Sequence, residues 1–292
     1  MFEAYLYEKL DKKVVQCKTC PHFCLIGPNQ RGICGCRENR DGELYALNYS
    51  KAIACHIDPI EKKPLFHFLP GTESLSIATV GCNFFCRNCQ NWEISQSPKP
   101  NKQILGQDLP PKKIVEMALK NNLPSISYTY TEPTIFLEYA LETMKLAKKT
   151  GLKNIWVTNG YTSKESFDLI YPYLDAANVD LKSFSDEFYL KNCGARLRPV
   201  LDTLKRMKAK KIWLEITTLA IPTLSDSEEM FRDIAKFIKK ELGSKTPWHI
   251  SRFFAAVSWQ LHHLPDTPLK TLKRAYQIGK ETGLKYVYIG NV

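Results

Sequence analysis

The sequence predicts an α/β fold built on a parallel sheet and preceded by a small cysteine-rich segment. Strand and helix patterns alternate from about residue 74 to the end of the chain. The helix patterns open on proline, serine or Thr-Pro, and three of the four close on glycine. Residues 1 to about 70 carry little helical periodicity and are crowded with cysteine, glycine and turn residues. The expected organisation is therefore a cysteine-rich segment over 1–70 and a strand–helix core over 71–292. Such alternation fits a closed or partial barrel or a doubly wound open sheet, and both place chemistry at the C-terminal ends of the strands.

Taken in order, the strand candidates are SLSIATV (74–80), SISYTY (125–130), NIWVT (154–158), AANVDLK (176–182), KIWLEITT (211–218) and WHISRFF (248–254), with KYVYIG closing the chain. Between them, PPKKIVEMALKNN starts on prolines, which suit a first helical turn. The next helix begins at Pro133, carries Phe136, Ala140, Met144 and Ala147 at helical spacing, and stops at Gly151. In SDSEEMFRDIAKFIKKELG, Ser225 and Glu228 form a capping-box pattern, with Phe231, Ile234 and Ile238 on one face. TPLKTLKRAYQIGKETG opens on Thr-Pro and closes on Gly283.

The chain has 292 residues, 44% hydrophobic, so it can bury a substantial core. It lacks a run of 18 apolar residues, and its N-terminus interleaves charges with apolar residues, which predicts a cytoplasmic protein with no membrane partner. In a reducing compartment grouped cysteines bind metal or do redox chemistry more often than they form disulfides. The formal charge of +11 suits nucleic acid or an anionic small molecule, but the lysines are scattered through helical stretches that read as solvated faces. No arginine-rich tail or RNA-binding signature accompanies the charge.

Three of the ten cysteines fall in GCNFFCRNCQNW, as Cys82, Cys86 and Cys89. A structural zinc site is closed by four ligands, so three leave it one short. An iron–sulfur cube held by three thiolates keeps one iron without a protein ligand. Gly81 permits a tight exit from the preceding strand. A zinc site completed from elsewhere, or three buried thiols, are the other readings of the same spacing.

CNFFCRNC after the first strand resembles the cluster motif of the radical S-adenosylmethionine superfamily. TVGCNFFCRNCQNWEISQ together with DPIEKKPLFHFLPG is similar to one subgroup, the AmmeMemoRadiSam-system enzymes, homologues of pyruvate formate-lyase activating enzyme. The resemblance covers nearly the whole chain. It implies a partial (β/α)6 barrel in which Cys82, Cys86 and Cys89 hold a [4Fe-4S] cluster whose open iron chelates S-adenosylmethionine. Reductive cleavage would give a 5′-deoxyadenosyl radical that takes hydrogen from a substrate. The resemblance also implies an external one-electron donor of flavodoxin or ferredoxin type, and Memo-type and AMMECR-type partner proteins. TYTEP (129–133) resembles the motif that binds the methionine amino group, with Glu132 at the acidic position and with Tyr130 and Thr131 where glycines are common. Capping of the helix at Pro133 is the alternative role for Glu132. By the same resemblance Asn159, Asp180, Lys182 and His249 approach the cofactor, and Asn88 stands at a position usually aromatic.

CKTCPHFCLIGPNQRGICGC places Cys17, Cys20, Cys24, Cys34 and Cys36 before the core. The first four have the spacing C-x2-C-x3-C-x9-C, suited to a structural zinc or a second iron–sulfur cluster. Cys55 and His56 read first as a buried thiol and a surface imidazole and only then as a further ligand there, and Cys193 reads as a core thiol. Two functional alternatives stand beside the general radical enzyme: a glycyl-radical enzyme activase acting on a protein, and a zinc-stabilised nucleic-acid-binding module.

Overall fold

The computed structural model describes residues 1–101 and 103–292. The chain divides into two compact units, Met1–Asn83 with Asn91–Ala177, and Phe84–Gln90 with Asn178–Val292.

The first unit begins with two small antiparallel sheets. In one, Arg37–Arg40 and Glu43–Ala46 are joined by Asp41-Gly42, both at positive φ, the Asp-Gly pair that a two-residue hairpin favours. In the other, Val15–Cys17 pairs with Tyr7–Lys9 and Leu25–Ile26. Their shared core is small: Ala4, Val15, Cys17, Ile26 and Leu44, with Tyr7 and Cys24 against it.

The larger sheet of this unit runs in the order β1 (Ala54–Pro59), β2 (Glu73–Ala78), β3 (Ser125–Tyr128), β4 (Lys153–Thr158). β2, β3 and β4 are parallel, and β1 is an antiparallel edge that the alternating pattern did not reveal. All four residues of β3 are buried, as expected of a strand covered on both faces. Helix α1 (Pro111–Lys120) starts on a proline and buries Ile114, Val115 and Ala118. Pro133–Phe136 forms a 3-10 turn that leads into α2 (Leu137–Lys149), and Phe136, Ala140, Met144 and Ala147 are all buried. The chain leaves α2 through Gly151 at φ +83°, where Leu152 N donates to Ala147 O. Ser163 caps the short helix α3 (Lys164–Ile170), accepting from Ser166 N at 3.0 Å.

Asp58, at the end of β1, gathers the DPIEKK and TYTEP motifs. Its carboxylate takes Lys62 at 2.8 Å, the buried Lys63 at 2.6 Å and the Tyr130 hydroxyl. Burial alone would raise Asp58; the hydrogen bonds from Lys62, Lys63 and Tyr130 hold it well below the usual carboxylate range. A depressed pKa contributes stability that is present above the unfolded value, about 3.9, and is lost as pH falls through the folded one. Asp58→Asn is accordingly expected to cost about 3 kcal/mol at pH 7, because it strands the Lys63 ammonium. The deficit should shrink at pH 3, as guanidinium midpoints at the two pH values would read.

The second unit opens with the last three residues of β5 (Ala176–Asp180), which lies beside β6 (Trp213–Ala220), then β7 (Trp248–Arg252) and β8 (Val287–Gly290). β6, β7 and β8 are parallel, in register from Ile216↔Trp248 to Ala220↔Arg252. Helices α4 (Leu197–Ala209), α5 (Glu228–Phe237) and α6 (Leu269–Thr282) follow β5, β6 and β7. At α5 the capping residue is Ser227, accepting from Met230 N at 3.2 Å, and not Ser225. Ser225 closes the loop from β6 instead, accepting from Ile221 N and donating to Leu219 O. Gly279 lets α6 approach the sheet, since a Cβ there would meet Val287 at 2.9 Å and Trp248 at 3.2 Å. Gly283, at φ +96°, ends α6 as the sequence predicts. No helix among the described residues is long and apolar enough to cross a membrane.

Candidate functional site

In the first unit the chain leaves β2 through Thr79, Val80 and Gly81 to reach Cys82. Gly81 has φ +99°, and a Cβ there would stand 2.3 Å from Cys36 Sγ and 3.0 Å from Cys34 O, so only glycine fits this exit. Asn159, just past β4, turns its side-chain amide toward the loop. Its Nδ2 lies 3.8 Å from Cys82 Sγ and 2.8 Å from Asn83 Oδ1. Asn83 is fully buried, donates to Tyr161 O at 3.0 Å, and its carbonyl meets His22 Nε2 at 2.8 Å. Asn83 and His22 carried no sequence signal, because each acts through partners more than 60 residues away.

Glu132 is fully buried. Oε1 takes Thr134 N at 2.9 Å, Thr134 Oγ1 at 2.7 Å and Thr158 Oγ1 at 2.8 Å, while Oε2 takes Asn159 N at 2.8 Å. It thus caps the helical turn at Pro133 and ties it to the end of β4. Burial raises its pKa, and the donors from Thr134, Asn159 and Thr158 oppose that rise. Oε2 keeps acceptor capacity for one more donor. Tyr130, two residues before it, adopts φ +62°, the left-handed conformation natural to the glycines it replaces. Its ring carries the Lys63 ammonium 4.6 Å from the centroid, and Asn91 Nδ2 donates to its carbonyl at 2.8 Å. The tyrosine keeps a glycine-like backbone and adds an anchor.

In the second unit the segment Phe84–Gln90 is laced to the turn 192–193, with Phe85 N donating to Cys193 O at 2.8 Å and Arg87 N to Asn192 O at 2.9 Å. Asn192 Nδ2 also donates to Asn88 Oδ1 at 2.7 Å, so the residue at the usually aromatic position is engaged as a hydrogen-bond acceptor. Cys86 is buried against Cys193; the hydrogen bond with Cys193, then burial, push the Cys86 thiol far above its ordinary value. Cys193 therefore belongs to this site, a role its isolated place in the sequence concealed. Lys182, past the end of β5, pairs with Asp180 at 2.8 Å and faces Cys86 and Cys193. Burial would lower Lys182, but Asp180 and the two sulfurs hold it well above the usual lysine range.

His249 finds partners on β6 and β8. It is the second residue of β7, toward the N-terminal end of the strand, and is buried with Nε2 2.7 Å from Glu215 Oε2 and its ring stacked on Tyr288. The pair with Glu215 is the satisfied-histidine arrangement of a strand interior. Trp92 begins the short helix Trp92–Gln96, and Phe84 lies edge-on to Tyr189.

The N-terminal cysteines separate into four and one. Cys17, Cys20, Cys24 and Cys34 line one cavity, whereas Cys36 is turned away with its Sγ 3.1 Å from Val80 O. Burial raises Cys20 and Cys34, and brings Cys24 up to about 11. Cys55 and His56 lie on β1 and do not line that cavity. Among the described residues no three His, Cys, Asp or Glu side chains already stand in ligand geometry around one point.

The fold and the three-cysteine loop define a radical SAM protein: the family model described as Radical SAM superfamily matches residues 76–238, and the chain belongs to that family. Its enzymes use a [4Fe-4S] cluster and S-adenosylmethionine. The chain is 47% identical over all its 292 residues to an uncharacterised protein of Methanocaldococcus jannaschii, covering 86% of it. It is 30% identical to a putative glycyl-radical enzyme activating enzyme of the same organism, over 57% of this chain and 63% of that one. It is 26% identical to the pyruvate formate-lyase-activating enzyme of Clostridium pasteurianum, over 54% of this chain and 66% of that one. The chain thus spans just under two thirds of each of these two activating enzymes. A radical SAM methyltransferase from Sphaerobacter thermophilus shares the fold, with TM-score 0.58 and 14% identity over 76% of this chain and 67% of that one.

Proposed function

We propose that Cys82, Cys86 and Cys89 hold the [4Fe-4S] cluster and that the chain reductively cleaves S-adenosylmethionine to take hydrogen from a substrate. The observation that carries this reading is the chemistry gathered on the cysteine loop. Cys82 receives an amide N–H from Asn159, and Cys86 faces the Lys182 ammonium and the Cys193 thiol. Donors and a cation beside sulfur suit thiolate ligands and raise their cluster's potential. The bound cluster supplies the electron that breaks a carbon–sulfur bond of the cofactor. Glu132 Oε2 is the acceptor for the cofactor's amino group, Lys182 the cation for its carboxylate, and Asn159 and Asp180 polar partners for its ribose. His249, which the resemblance also brings to the cofactor, is oriented by its pairing with Glu215.

Protein activation is the second reading, favoured by the names of the relatives, which include a 4-hydroxyphenylacetate decarboxylase activating enzyme. A flavodoxin- or ferredoxin-type electron donor serves either reading, and Memo-type and AMMECR-type proteins are the partners to try first. Protein reconstituted anaerobically with iron and sulfide, then reduced with S-adenosylmethionine, is expected to form 5′-deoxyadenosine. An intact cluster without that product would refute the assignment. A glycine-centred radical in an added partner would select activation, and zinc without iron, together with salt-dependent nucleic-acid binding, would replace both readings.

A further inference from the structure

We propose that Cys17, Cys20, Cys24 and Cys34 hold a single tetrahedral metal ion of zinc type, separate from the cluster on the Cys82–Cys89 loop. The four thiols come from different pieces of chain and converge on one cavity. Cys17 ends one strand and Cys24 precedes the strand that pairs with it, with Cys17 N donating to Cys24 O at 2.9 Å. Cys20 sits in the intervening turn, closed by Phe23 N on Cys20 O at 3.0 Å. Cys34 enters from the Gly32–Gly35 turn, whose Gly32 packs tightly on Ile26, where a Cβ would lie 3.2 Å from Cδ1, with Cys24 Sγ at an ordinary contact distance of 3.7 Å.

Size favours one ion over a second cluster. The cavity measures about 10 Å³, the room of about one water molecule, and an iron–sulfur cube would displace far more. Four thiolates also complete a tetrahedral shell, which makes a closed, structural site. The surroundings fit an anionic centre. Arg37 lines the cavity, and its Nε is buried without an acceptor, a donor that a metal-bound thiolate would satisfy. The need is physical as well, since a core of five small or medium side chains holds these strands weakly and a metal would tie three chain segments at once. Binding closes the sulfurs around the ion with release of their protons to solvent.

The test uses the full chain and also a Cys82→Ala/Cys86→Ala/Cys89→Ala form, so that the result is independent of the cluster and of turnover. Elemental analysis is expected to find about one zinc per chain in both, and cobalt substitution to give the visible bands and sulfur-to-metal charge transfer of a tetrathiolate site. Cys20→Ser and Cys34→Ser should lower retained zinc at least tenfold, and Cys36→Ser should not. Should the serine variants fail to fold, the cobalt spectrum of the unmodified chain decides. Zinc below a tenth per chain, iron and sulfide bound to the triple variant, or disulfides among these four cysteines in anaerobically prepared protein would each overturn the proposal.

Discussion

Cys86→Ala is expected to abolish both the visible absorbance of the reconstituted cluster and the formation of 5′-deoxyadenosine, a loss of at least about a thousandfold against the reduced, reconstituted parent. Cys86 is the buried cysteine of the motif, and its segment is fixed by two backbone bonds to residues 192 and 193. Cys193 lies against Cys86, which makes Cys193→Ala the informative companion. Once Cys86 is a thiolate ligand, the Cys193 thiol is left to donate to it, and a donor to a ligand sulfur raises the potential of the centre it holds. Cys193→Ala should keep the absorbance and make the cluster harder to reduce, read as a lower midpoint potential. Loss of the absorbance in Cys193→Ala would instead make Cys193 a ligand and contradict the three-cysteine assignment.

The sequence made these relations legible only where they are local. The alternation of strand and helix, the glycine stops at 151 and 283 and the stripe Phe136, Ala140, Met144, Ala147 are short-period features, and the structure has them where the pattern puts them. The cysteine spacing pointed to the loop, because three cysteines on one loop are a local property. What escaped is non-local. The Cys86–Cys193 contact joins residues over a hundred positions apart, and β1 is an antiparallel edge added to an otherwise parallel pattern. Ser225 and Ser227 compete for the same cap, and tertiary structure decided between them by giving Ser225 a loop to close. Tyr130 departs from a glycine pattern; its aromatic ring is held by Asp58 and Lys63, which lie in the DPIEKK stretch. The irregularity in TYTEP is thus explained by residues of a stretch far from it in sequence.

The same non-locality sets the largest stability effect expected in the first unit. Arg37, on the hairpin before the core, donates to both oxygens of Glu138 on α2, at 2.9 and 2.8 Å, with both side chains buried. Tyr5 N adds a third donor to Oε1 at 3.0 Å, so the carboxylate ties two pieces of the N-terminal segment to the sheet layer. Burial would lower the guanidinium's pKa, and Glu138 more than offsets it, leaving Arg37 charged in the folded protein. Glu138→Gln keeps the shape but removes the countercharge, and is expected to cost about 3–5 kcal/mol, seen as a lower guanidinium midpoint at unchanged slope. Arg37→Met combined with Glu138→Leu removes both charges and should recover most of that loss, because the penalty lies in the orphaned cation and not in the absent pair. Equal destabilisation in the single and double variants would mean that the bidentate pair itself, through its geometry, holds the hairpin to α2.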